Sequence, residues 1–124
     1  TLPGETLEVI EAEYRGILER LATDDPAFSA TLKPLLACSP METDPKGPLA
    51  TVVLAAAAAT FGQEPETAGA PFWTDGATLA EVGIPAVLFG PGGAGAHAFE
   101  EWVDLESVRQ CVAIYARVIE GFCA

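Results

Sequence analysis

Ile84-Pro85-Ala86-Val87-Leu88-Phe89-Gly90-Pro91-Gly92-Gly93-Ala94-Gly95-Ala96-His97 is the stretch that decides the fold: an apolar run ends in Gly and Pro, and a glycine-rich loop then delivers the chain's one histidine. A compact apolar run of this kind predicts a strand, Ala86 to Phe89, covered on both faces. In open α/β sheets ligands bind outside the carboxyl ends of the strands. His97 is therefore placed where a ligand site would be.

On either side the pattern is strand, helix, strand, loop, helix, which is the signature of an α/β fold. Upstream, Thr67 to Trp73 reads as a short strand, Thr74 or Asp75 as the cap of a helix Ala77 to Val82, and Gly83 as its stop. Leu49 to Phe61 is an alanine-rich helix entered through Pro48 and closed by Gly62; its small side chains suit close packing on a sheet. Downstream, Asp104 or its neighbour starts a final helix that runs to about Gly121, with Leu105, Val108, Val112, Tyr115 and Ile119 on one face. Ser39 to Pro48 is rich in proline and charge and predicts a domain boundary. Before it, Glu5 to Thr23 reads as an amphipathic helix with acids early and Arg15 and Arg20 later, stopped by Asp24-Asp25-Pro26. Phe28 to Cys38 alternates imperfectly around Pro34, as an edge strand would.

Composition narrows the partners. A chain of 124 residues, half of them hydrophobic, can bury one modest core. Its net charge of -12 argues against nucleic acid and anionic membrane surfaces, because so few Lys and Arg gain little counterion release from a polyanion. A small-molecule or protein partner is left. Cys38, Cys111 and Cys123 are odd in number and lack Cys-x-x-Cys spacing, which argues against a disulfide framework or a cysteine zinc site and for a reducing, cytoplasmic setting. The longest apolar run, Leu49 to Phe61, is about 13 residues against the roughly 20 a membrane helix needs. With neither an initiator Met nor a signal-peptide pattern, the sequence is expected to be a piece of something longer.

Gly90-Pro91-Gly92-Gly93-Ala94-Gly95 formally matches the dinucleotide fingerprint G-x-G-x-x-G. The fingerprint needs its last glycine at the start of a helix, whereas Ala96-His97-Ala98-Phe99 intervenes and helical periodicity resumes only near Asp104. Pro91 also removes a backbone donor from the loop. His97 is either a satisfied polar residue near a loop or a metal ligand, and its place after an apolar strand favours the ligand. Glu100 and Glu101 either contact the imidazole or form a solvated pair. Thr74 and Asp75 either cap the next helix or touch substrate or metal. Phe72 and Trp73 are either core or pocket lining. One histidine does not make a zinc site, so any further ligands must come from elsewhere.

Trp73-Thr74-Asp75-Gly76, then Gly83-Ile84-Pro85 through Phe89-Gly90-Pro91-Gly92, then Ala96-His97 and Glu101, resemble the carboxyl-terminal region of the zinc-dependent aminoacylase and carboxypeptidase family. That family includes acetylornithine deacetylase, succinyl-diaminopimelate desuccinylase and glutamate carboxypeptidase. Leu2-Pro3-Gly4-Glu5 is similar to sequence in the family's smaller lid domain. The resemblance implies that residues 1–43 are the end of an α+β lid and dimerisation domain, and residues 44–124 the carboxyl-terminal part of a catalytic α/β domain. It further implies His97 as a metal ligand, and Phe72, Trp73, Thr74 and Gly92 as positions near the substrate, an N-acyl amino acid or small peptide. Two zinc ions per complete enzyme are implied, with cobalt or manganese as substitutes, and a homodimer formed through the lid. The family's other ligands and its general-base Glu have no counterpart in this sequence. The chain alone is therefore expected to be inactive, and a non-catalytic binding or dimerisation module is the alternative.

Overall fold

A computed structural model describes residues 2–123. In chain order the elements are α1 (Leu7–Asp24), α2 (Pro48–Phe61), α3 (Gly76–Glu81), β1 (Gly93–Ala94), β2 (Trp102–Val103) and α4 (Leu105–Phe122). β1 and β2 pair antiparallel, with Gly93 opposite Val103 and Ala94 opposite Trp102. The result is a mixed, mostly helical fold with one small sheet.

The helices lie where the sequence puts them, and their ends follow from local chemistry. Thr6 caps α1 by accepting from the Val9 N–H at 3.4 Å. Glu8 in the first turn has its carboxyl held below the usual range, first by a backbone hydrogen bond and then by the Thr6 hydroxyl. α2 starts on Pro48 and stops at Gly62, whose φ of 72° is left-handed backbone that glycine adopts at little cost. Asp104 caps α4 with both carboxylate oxygens, Oδ2 accepting from Ser107 N–H at 2.8 Å and Oδ1 from Glu106 N–H at 3.3 Å. At α3 the expectation fails in detail: Asp75 occupies the cap position but its side chain makes no capping bond.

The core is the contact between α2 and α4. Ala56, Ala57 and Ile114 are buried together, with Phe89 and Val118 partly buried against them. Alanine on α2 lets the two helix axes approach, and Ile114 fills the space between. Arg117 ties the same pair of helices by donating to Thr60 Oγ1 at 2.5 Å. The face of α4 that packs inward carries Cys111, Ile114 and Val118, whereas Leu105, Val112, Tyr115 and Ile119 are exposed. The face expected from the sequence is thus the outer one, Val108 excepted. The reason is that the apolar arc of α4 is wide, running from Cys111 and Ile114 round to Val112 and Ile119, so spacing alone does not choose which edge of it packs.

The three expected strands are also corrected. Phe28 to Cys38, Thr67 to Trp73 and Ala86 to Phe89 pair with nothing among the described residues. Leu88 is 52% exposed, so the last of these is not covered on both faces. A ladder needs a neighbouring backbone, and none of these three segments meets one. The last of them is held by a side chain instead: Thr43 Oγ1 donates to the Ala86 carbonyl at 2.5 Å.

The chain exposes 9672 Å². A compact monomer of this mass exposes about 6,300 Å². Exposed apolar side chains include Leu35, Leu36, Leu105, Val112 and Ile119. No helix among the described residues is long and apolar enough to cross a membrane.

Candidate functional site

The glycine loop runs into a hairpin. Gly93 faces the backbone of Trp102 and Val103 so closely that a Cβ there would overlap the Trp102 carbonyl oxygen, and a Cβ on Gly95 would overlap that of Glu100. Gly95 also has φ 79°. Both positions therefore require glycine, for close backbone approach and, at Gly95, for handedness as well. The loop's glycines build a hairpin rather than the start of a helix.

His97 sits in the turn of this hairpin, next to the Ala98 N–H that donates to the Gly95 carbonyl at 2.8 Å. Its φ of 64° is the one positive value on a non-glycine residue among those described. Backbone of that kind costs an L-residue roughly 1–2 kcal/mol and clusters at functional sites. The imidazole is exposed and makes no hydrogen bond among the described residues. Glu100 and Glu101 are exposed too, and neither carboxylate bonds to the ring.

The hairpin is fixed to α4 at its root. Gly92 N–H donates to Ser107 Oγ at 3.0 Å, and the Gly92 carbonyl accepts from Asp104 N–H at 2.9 Å. Three residues earlier, the Phe89 carbonyl accepts from the Tyr115 hydroxyl at 2.7 Å, and the two rings meet edge to face with centroids 6.0 Å apart. Burial pushes the Tyr115 phenol above its ordinary pKa, with a further push from Cys111. Asp104 was legible from the sequence as a helix cap. Ser107 and Tyr115 were not, and the faint signal for Ser107 is its place three residues after that cap.

Phe72, Trp73 and Thr74 lie elsewhere, on the segment entering α3. Phe72 is 62% and Trp73 51% exposed. Trp73 lines a cleft of about 150 Å³ with Cys38, Ser39 and Glu81, and the Thr74 hydroxyl points to Met41 Sδ at 3.7 Å. A larger open cleft of about 330 Å³ lies between Glu42, Asp44 and Pro48 on one side and Ile84 and Pro85 on the other. Neither cleft is lined by Gly92 or His97, and no hydrogen bond joins residues 72–74 to the hairpin. Among the described residues no three His, Cys, Asp or Glu side chains come together to hold a metal ion. His97 could supply one ligand, but this chain does not by itself fit a metal centre.

The sequence pattern of peptidase family M20/M25/M40 matches residues 4–121. The chain is 33% identical over 123 residues to acetylornithine deacetylase of Myxococcus xanthus, covering 98% of this chain and 31% of that protein. It is 30% identical over 119 residues to succinyl-diaminopimelate desuccinylase of Burkholderia mallei (strain SAVP1), covering 96% of this chain and 30% of that protein, and equally similar to the enzyme of that name from Burkholderia pseudomallei (strain 668). The chain thus spans less than a third of the length of these relatives. No solved structure matches it significantly.

Proposed function

Because the chain belongs to peptidase family M20/M25/M40, we propose that it is the carboxyl-terminal part of a cytoplasmic, metal-dependent amidohydrolase that cleaves the amide bond of N-acyl amino acids or small peptides. The observation that carries this reading is that a deacetylase and a desuccinylase align with nearly all of this chain and with under a third of themselves. Residues 1–43 belong to the lid of the whole enzyme and residues 44–124 to its catalytic domain. His97 ligates one of two zinc ions, for which cobalt or manganese could substitute, and Phe72, Trp73, Thr74 and Gly92 line the substrate site. No reaction step is derived from this chain, since the remaining ligands and the general base lie outside it. The test is metal content and turnover of the full-length protein with a panel of N-acyl amino acids. About two metal equivalents and chelator-sensitive hydrolysis are expected; a metal-free protein without turnover would overturn the reading.

A second reading, a non-catalytic dimerisation module, draws on α1. None of its residues is buried, and Val9, Ile17 and Leu21 are exposed. A homodimer formed through this helix is compatible with either reading, so the metal content decides between them.

A further inference from the structure

An unpaired backbone segment must have its polar groups satisfied by something other than a ladder. Residues 84–92 pair with no strand, yet both ends of Phe89-Gly90-Pro91-Gly92 are held by one helix. At the first end the Tyr115 hydroxyl donates to the Phe89 carbonyl at 2.7 Å while its ring meets that of Phe89. At the second, Ser107 Oγ accepts from Gly92 N–H at 3.0 Å and donates to the Asp104 carbonyl at 2.7 Å, so one hydroxyl bridges loop and helix. Pro91, between them, has no N–H to offer. The helix that makes these contacts is itself anchored in the core by Cys111 and Ile114. The hairpin starts at Gly93, the residue after the second anchor.

We propose that Ser107 and Tyr115 are positioning residues: they clamp the tetrapeptide before the hairpin onto α4 and so fix where His97 is presented. The importance of that placement for catalysis rests on the hydrolase reading above, whereas the clamp itself does not. A hydroxyl is needed at 107 because it must accept and donate at once, so Ser107→Thr keeps the device and Ser107→Ala removes it. Tyr115→Phe removes only the hydroxyl and leaves the ring contact.

The test uses the full-length protein and reads two quantities, amide hydrogen exchange of residues 90–97 and steady-state kinetics on N-acyl amino acids. In Ser107→Ala and in Tyr115→Phe, exchange in that peptide should quicken about five-fold, the equivalent of one ordinary hydrogen bond. Turnover should fall about ten-fold or more, as on loss of a group that orients a site residue, with KM changed less than two-fold. Ser107→Thr should restore both, with circular dichroism unchanged throughout. Wild-type exchange in both Ser107→Ala and Tyr115→Phe overturns the clamp. Quickened exchange with unchanged turnover overturns its role in catalysis. If the wild-type protein hydrolyses nothing, the hydrolase reading fails, and the exchange data alone decide for or against the clamp.

Discussion

His97 combines an exposed imidazole with left-handed backbone in a turn whose approach is fixed by glycines. His97→Ala in the full-length protein should lower metal content and cut turnover by more than the roughly 10- to 100-fold typical of an outer-shell change, with the fold intact by circular dichroism. Two metals and near-normal turnover would make His97 structural. Tyr115 gives a pH prediction of known sign. Its pKa is raised in the folded chain, so the folded state holds the phenolic proton more tightly than the unfolded chain does. The stability this contributes is complete below the unfolded value of about 10 and is lost as pH rises through the folded pKa. Denaturation midpoints measured from pH 9 to 11 should therefore fall less steeply for Tyr115→Phe than for wild type. At this scale the sequence reveals residues whose role is local. Asp104 precedes an apolar periodic run, as a cap does, and His97 follows a glycine loop. Ser107 and Tyr115 act on residues 15 and 26 positions away, and such bonds leave no local pattern.

At the scale of elements, all four helices were legible from local signals: period and cap for α1 and α4, Pro48 and Gly62 for α2, and the stop at Gly83 for α3. The strands were not, because pairing is a relation between segments: residues 84–89 announce their extended form but not their neighbour. The inward side of α4 was hidden by the width of its apolar arc. Ile114, fully buried against α2, marks the packed side. Ile114→Ala should cost about 2–5 kcal/mol in urea denaturation, the usual loss for truncating a buried aliphatic side chain. A cost below 1 kcal/mol would mean that the contact between α2 and α4 is not the core. The segment from 28 to 44 carries no helix or strand, with Leu35 and Leu36 exposed. Limited proteolysis should cut within it before it cuts residues 84–89, since exposed chain is nicked first. Earlier cleavage inside 84–89 would place the domain division elsewhere than between Thr43 and Asp44.

For the whole molecule the decisive quantity is surface. The chain exposes about half as much again as a compact monomer of its mass, and its exposed apolar side chains include the outer stripe Leu105, Val112 and Ile119 of α4. If the rest of a larger enzyme covers that stripe, the same substitution must have two different costs. In the isolated 124-residue chain, Ile119 is 61% exposed, and Ile119→Ala should shift stability by no more than about 0.5 kcal/mol. In the full-length protein a covered Ile119 is a core residue, and the same change should cost about 2–5 kcal/mol. The isolated chain should also bind a hydrophobic dye that the full-length protein excludes, because an apolar area of this extent otherwise marks an interface. Urea denaturation of both proteins, each with and without Ile119→Ala, reads the difference directly. Equal, small costs in the two would mean that nothing covers α4, and would favour the binding-module reading over that of a hydrolase whose catalytic domain continues across this face.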